Sequence, residues 1–364
     1  MDIRGQYEEL LPEIKQLVCE VIDSGRFILG PNVRALEEEV EASVGYGHAV
    51  AVANGTDALE LSLQALDIGQ GDEVVTTAYT FYATAEAIAR RGATPVFADI
   101  EPASLCLDPA AAEAAITPRT RAVMPVHVFG QPADLGAFRE LADRHGIALI
   151  EDAAQAFGAT YEGYRAGSYG DAATFSFFPT KNLPAMGDGG LVVAASEEVA
   201  ERLRMLRFHG SRDKRVFEQV GVNSRLDEMQ AVILRRFLKE VDGWNDARRA
   251  AAVRYRELGL GEHVTLPAEL PGRTHVYHLY VVRSGDRDQL SRRLKEQGIA
   301  SGVYYAEPLH RQPVFRHLGY AEGSLPETEA AAREGLALPM FPTLADEQQR
   351  EVVRAVRGAV SAAA

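Results

Sequence analysis

The sequence predicts an α/β protein: a large domain built on a mostly parallel sheet, followed by a small α+β domain. Two observations carry this expectation. In the first two-thirds, short β-branched runs alternate with segments of helical periodicity, the pattern of a sheet covered on both faces. From about Trp244 onward the order becomes long helix, strand, helix, strand and two closing helices within ~120 residues, a length that suits a small α+β unit. The 364 residues suffice for one large domain and a smaller one. The expected domains span residues 1–243 and 244–364, joined through a long helix because no low-complexity linker separates them.

In order, the expected strands are HAVAVA (48–53), EVVTT (73–77), TPVFADI (94–100), RAVMPVHVF (121–129) and IALIEDA (147–153). The helices VRALEEEVEASV, DALELSLQAL, ATAEAIARR and DLGAFRELADRHG repeat their apolar residues at the spacing of one helical face. ATFSFF and GGLVVAA read as two strands flanking a loop rich in Pro and Gly, followed by the helices EEVAERLRMLRF and RLDEMQAVILRRFLKEV. In the last third, THVYHLYVV and IASGVYY read as strands around the helix DQLSRRLKEQG.

Composition narrows the function. A net charge of −14 opposes any surface whose task is to neutralise nucleic-acid phosphates or to hold an anionic membrane. Two cysteines, Cys19 and Cys106, are too few for a disulfide framework or a thiolate metal site. The start, MDIRGQYEELLPEIKQL, has no apolar signal core, and no uncharged apolar run of ~18 residues occurs. A protein of the reducing cytoplasm is expected, with no metal.

Three segments carry residues suited to chemistry. NGTDALELSL places Gly55 and Thr56 after a strand and at a helix start, where free amides form an anion site; a simple N-cap behind a turn explains the segment as well. Neither a G-x-x-x-x-G-K-[ST] loop nor a G-x-G-x-x-G fingerprint occurs, so an NTPase or nicotinamide enzyme lacks its phosphate cradle. IEDAAQAFGA puts Asp152 at the carboxyl edge of a strand, where open α/β sheets bind ligands, with Gln155 three residues on. FSFFPTKNLPAMGDGG holds Lys181 between apolar strands in a loop of Pro179, Pro184, Gly187, Gly189 and Gly190, with Ser176 five residues upstream. Apolar walls strip an ammonium of solvation, lower its pKa and make the amine a nucleophile able to form a Schiff base. A phosphate site, an acid at a strand end and a lysine 29 residues later are what pyridoxal phosphate requires: an anion clamp, a partner for the ring nitrogen and an amine for the aldehyde.

On these residues the chain resembles the DegT/DnrJ/EryC1/StrS family of pyridoxal-phosphate sugar aminotransferases. VANGTDALELSLQAL, the 41-residue block from IEDAAQAFG to AMGDGG and VGVNSRLDEMQAVIL carry the resemblance, with weaker agreement from GPNVRALEEEV to EPLHRQPVF. Pro184 and Met186 stand where the family usually has a glycine-containing turn, and Ala306 where a proline often precedes the PLH run.

The resemblance implies an aspartate-aminotransferase-like (fold type I) large domain, a homodimer with shared active sites, and transfer of an amino group from L-glutamate to a keto sugar on a nucleotide diphosphate. Lys181 would carry the cofactor and Asp152 would face its ring nitrogen. Gln155 would lie by its hydroxyl, and Phe81 would stack on the ring, although a core helix would bury such a Phe equally well. Gly55, Thr56 and Ser176 would hold the phosphate, joined by Asn223 from the neighbouring subunit. Arg225, Tyr305 and His310 would gather near the substrate. VGVNSRLDEMQAVIL resembles members acting on 3-keto more than on 4-keto sugars. The competing expectations are a cyclic ketone of the inosose type, an aromatising relative, and a non-catalytic regulatory protein on the same fold. The dehydratases of the family lack the lysine, which Lys181 opposes.

Overall fold

The computed structural model describes residues 4–361; residues 1–3 and 362–364, the outer ends of the two expected domains, lie outside it. The helices are α1 (Leu11–Ser24), α2 (Pro31–Val44), α3 (Gly55–Ala65), α4 (Ala83–Arg90), α5 (Pro109–Ala114), α6 (Leu135–His145), α7 (Glu197–Leu206), α8 (Glu228–Leu238), α9 (Val241–Glu257), α10 (Arg287–Glu296), α11 (Pro326–Glu334) and α12 (Asp346–Ser361). The strands are β1 (His48–Val52), β2 (Glu73–Thr77), β3 (Thr94–Ala98), β4 (Thr120–Met124), β5 (Ala148–Asp152), β6 (Thr160–Tyr161), β7 (Tyr164–Arg165), β8 (Ala172–Ser176), β9 (Gly190–Ala194), β10 (Arg273–Thr274), β11 (Tyr280–Arg283) and β12 (Gly335–Leu338). Short polar residues start the helices where the pattern demands it: the Asn54, Asp134, Ser196 and Asp227 side chains accept first-turn amides of α3, α6, α7 and α8.

The main sheet has seven strands in the order β1-β9-β8-β5-β4-β2-β3, and β9 alone runs against the rest. The carboxyl ends of β1, β2, β4, β5 and β8 therefore lie along one edge, and α3 and α4 begin there. Val75, Val123, Leu149 and Ile150 are buried on both faces of the sheet, which is why these runs are continuously apolar rather than alternating.

Expected residues 243 and 244 fall inside α9, which leads directly into the C-terminal part. That part packs α9, α10 and α12 over β11 and β12 around Tyr255, Leu290, Leu294, Leu336 and Val356. Tyr79, just after β2, donates to the carbonyls of Tyr304 (2.7 Å) and Ala331 (3.3 Å), stitching the two parts together.

Four expected elements differ. The 121–129 strand stops at Met124 because Pro125 has no amide to donate, and the chain turns through Val128–Gly130 with Phe129 at φ 59°. The 94–100 strand stops at Ala98. The 274–282 strand splits: Arg273–Thr274 pairs with β6, and Tyr280–Arg283 pairs with β12. Residues 299–305 form no strand and reach the sheet only through the Gly302–Ala337 bridge. The partner of β11 is instead Gly335–Leu338, four buried residues lying between the two closing helices. The run is too short to separate from helical periodicity by pattern alone.

Candidate active site

The carboxyl edge of the sheet first forms an anion cup. Asn54 is extended and its Oδ1 accepts from the Asp57 amide (2.9 Å), which leaves the Gly55 and Thr56 amides at the open end of α3. A Cβ on Gly55 would stand 2.7 Å from Cβ of Ser176 at the end of β8, so only glycine lets the two approach. Ser176 Oγ accepts weakly from the Phe178 amide (3.4 Å), and its own proton stays available to a ligand. Ser224 Oγ donates to Asp57 Oδ2 (2.5 Å) and accepts from the Ala53 amide (3.0 Å), fixing the base of the cup.

Asp152 ends β5 and is 4% exposed. Its Oδ2 accepts from Thr84 Oγ1 on α4 (2.7 Å) and its Oδ1 from the Ala154 amide (3.2 Å). Burial pushes the carboxyl pKa up, against the pull of Thr84, the Ala154 amide, Lys181 and His127. Behind it, His127 Nδ1 accepts from the Ala133 amide (3.2 Å), which leaves Nε2–H to donate to Glu151 Oε2 (3.0 Å). Glu151 also accepts from the amides of Gly167, Tyr169 and Gly170 at 2.7 to 2.8 Å, so this wholly buried carboxylate is satisfied.

Lys181 lies in the turn after β8, where its amide donates to Phe178 O (2.8 Å). Gln230 clamps the following turn through both amide ends: Oε1 accepts from Met186 N (2.8 Å) and Nε2 donates to Met186 O (3.3 Å). The Lys181 side chain is half-buried, and loss of solvation pushes its pKa down to about 8, opposed by the charge of Asp152. Phe81, just before α4, is 59% exposed rather than packed into the core, so one aromatic face is open at the site's rim.

Gln155 lies beside this group. Its Oε1 accepts from the Phe129 amide (2.8 Å) and its Nε2 donates to Tyr305 Oη (2.9 Å), with the Tyr305 ring stacked on Phe129. Burial raises the Tyr305 pKa, so the phenol keeps its proton. From Asn223 to Glu228 burial alternates: Ser224, Leu226 and Glu228 face inward, whereas Asn223 is exposed and Arg225 half-buried. Arg225 makes no hydrogen bond or ion pair among the described residues. No described contact joins either residue to Lys181 of the same chain. His310 is 1% exposed and tied to Glu329 (3.2 Å); no described contact joins it to the other candidates.

Sequence reasoning did not find Thr84, His127 and Glu151, which support Asp152. The signal available was a polar residue at a buried position of a mostly apolar run.

An amide-and-hydroxyl cup, a depressed lysine and a buried carboxylate served only by a hydroxyl and an amide suit a flat, phosphorylated aldehyde with a cationic ring nitrogen. Lys181, Asp152 and the Gly55/Ser176 cradle thus fit pyridoxal phosphate. Residues 9–357 match the DegT/DnrJ/EryC1/StrS aminotransferase family. The chain belongs to that family. A relative from Geobacillus stearothermophilus named pleiotropic regulatory protein is 52% identical, covering 98% of this chain and 96% of its own. The dTDP-3-amino-3,4,6-trideoxy-alpha-D-glucose transaminase of Streptomyces venezuelae is 47% identical, over 98% of this chain and 94% of its own. Further relatives, 39% to 46% identical, have names that specify position 3 of a UDP- or dTDP-linked sugar. Among solved structures, S. venezuelae DesV has a TM-score of 0.95 at 47% identity, covering 98% of this chain and 96% of that chain. Bacillus subtilis NtdA, solved with bound cofactor PMP, has a TM-score of 0.88 at 31% identity, over 96% of this chain and 82% of that chain. The DegT/DnrJ/EryC1/StrS aminotransferases depend on pyridoxal phosphate, and this chain is a pyridoxal-phosphate-dependent aminotransferase of that family. No helix among the described residues is long and apolar enough to cross a membrane.

Proposed function

We propose that the protein moves an amino group from L-glutamate to C3 of a keto sugar linked to a nucleotide diphosphate, as a homodimer with shared sites. The observation that carries this reading is the Lys181 amine, depressed to about 8 and opposed by the charge of a buried Asp152. Pyridoxal phosphate supplies the aldehyde that takes up the amino group and a ring that withdraws electrons from the adjacent carbon. The cup of Gly55, Thr56 and Ser176 holds the phosphate dianion against the open end of α3. Asp152 opposes the positive charge of the ring nitrogen and keeps its proton in place. Lys181 Nζ, neutral in part near pH 8, would accept the proton from the donor's Cα and return it to the carbon on the other side of the transferred nitrogen. Gln155 Nε2 donates one hydrogen to Tyr305 Oη and keeps the other for the ring hydroxyl, and the Tyr305 Oη–H would be free to meet the substrate.

The partner subunit enters through the 208–225 loop. Val216, Phe217 and Val220 are 64%, 60% and 89% exposed, an apolar surface suited to burial against a second copy. Asn223 and the uncommitted Arg225 lie on the same loop, suited to the neighbour's phosphate and to the nucleotide diphosphate. Position 3 is favoured by the names of the relatives cited above. A purely regulatory role, which the name of the Geobacillus relative raises, is opposed by the presence of lysine, carboxylate and cup together. Incubation of the protein with glutamate and UDP- or dTDP-linked 3-keto and 4-keto sugars tests the reading. Amination of 3-keto sugars is expected; turnover of 4-keto sugars alone would overturn the position, and turnover of neither would overturn the substrate class.

A further inference from the structure

Residues 302–310 cross from the C-terminal part onto the carboxyl edge of the large sheet. At one end Gly302 and Ala337 exchange backbone hydrogen bonds (3.0 and 2.7 Å), and at the other Leu309 N donates to Ala78 O (2.9 Å). Between these ties Tyr79 Oη donates to Tyr304 O (2.7 Å). The Tyr305 ring is held by two aromatic neighbours: it lies at 21° to Phe129 with centroids 6.2 Å apart, and it meets Tyr79 edge-on at 6.0 Å. Packing therefore places the ring independently of its hydroxyl.

The hydroxyl has a separate task. Gln155 is 5% exposed, and its terminal amide has two flipped orientations that shape alone barely separates. The Phe129 amide can only donate, so it selects the orientation that brings Gln155 Oε1 to it (2.8 Å). Nε2 then occupies the other branch of the amide, and one of its hydrogens goes to Tyr305 Oη (2.9 Å). Its second hydrogen has no acceptor among the described residues. Two anchors of opposite polarity thus fix both the plane of the amide and the direction of its unspent N–H; with the Phe129 bond alone, the amide would pivot about it. One anchor is backbone of the large domain, and the other is a side chain of the C-terminal part.

We propose that Tyr305 is a positioning residue for Gln155: its phenol oxygen holds Nε2 so that the second amide hydrogen stays presented to the ring hydroxyl of the cofactor. The inference rests on Gln155 lying by that hydroxyl, and it assigns the aim of the amide to a residue 150 positions away in the chain. No bond to carbon is made or broken at either side chain. A well-aimed donor on the ring hydroxyl favours the deprotonated form of the bound cofactor, so the visible band changes at a lower pH than it would without that donor.

Full-length Tyr305→Phe, Gln155→Met and the double variant, loaded with pyridoxal phosphate, test this. Phe keeps both ring contacts and removes only the acceptor; Met is close to Gln in length and removes the same bond from its other side. Tyr305→Phe is expected to raise the pH midpoint of the visible absorbance by up to about 1 unit and to weaken cofactor binding about 2- to 10-fold. Gln155→Met should raise the midpoint at least as far, and adding Tyr305→Phe to it should move the midpoint no further. A Tyr305→Phe protein with the wild-type midpoint overturns the proposal, as does a Tyr305→Phe shift that persists in full in the Gln155→Met background. A Gln155→Met protein with the wild-type midpoint would instead overturn the reading beneath it, that Gln155 serves the ring hydroxyl.

Discussion

Thr84 Oγ1 donates a 2.7 Å hydrogen bond to Asp152 Oδ2, so the first turn of α4 holds the acid at the end of β5. Burial alone would favour the neutral carboxyl, and this hydroxyl is the strongest of the influences that keep it charged. Thr84→Val keeps the shape and removes the donor. A bond to a charged acceptor contributes about 1.5–3 kcal/mol, so pyridoxal phosphate should dissociate from the variant about 10- to 150-fold more readily. Fluorescence titration of cofactor binding measures it; unchanged affinity would show that Thr84 does not hold the carboxylate charged.

The anion cup depends on a glycine for want of space. Gly55→Ala brings a Cβ to 2.7 Å from Ser176 Cβ, an overpacking that should cost about 1–3 kcal/mol in cofactor affinity or stability. Gly243, inside α9 with open space around it, is the control. Gly243→Ala should raise stability by about 0.5–1 kcal/mol. Thermal unfolding of both variants, with and without cofactor, checks the contrast.

The depressed lysine fixes two pH dependences. Capture of added pyridoxal phosphate needs the neutral amine, so its rate should rise as pH passes about 8. The folded chain also releases this proton at lower pH than the unfolded chain, whose lysine has the ordinary value of 10.5. Between about 8 and 10.5 the unfolded state binds more protons, so this group makes the cofactor-free protein more stable as pH rises. Lys181→Met should flatten that rise, and denaturant midpoints across the window report it.

The parallel sheet was legible because its strands are buried on both faces and so read as unbroken β-branched runs. Asp152 stood out because it is the polar residue at the end of such a run, Ser176 because it lies five residues before Lys181, and Gly55 because a helix begins beside it. Thr84 and His127 were hidden inside mostly apolar segments, where a polar residue is as often a satisfied core group as a working one. The four-residue β12 was hidden for a different reason: GLAL after α11 suits either a helix or a strand, and only pairing with β11 decides it. Tyr305 meets Gln155 across 150 residues of chain, a closeness that no local pattern encodes.

Covalent trapping tests the central claim, that Lys181 is the amine that carries the cofactor, most directly. The protein loaded with pyridoxal phosphate is reduced with borohydride, digested and mapped, while a second portion receives L-glutamate before reduction. The label should fall on the peptide holding Lys181, and glutamate should bleach the visible absorbance and abolish the labelling. A label on another lysine, or labelling that glutamate leaves untouched, would contradict it.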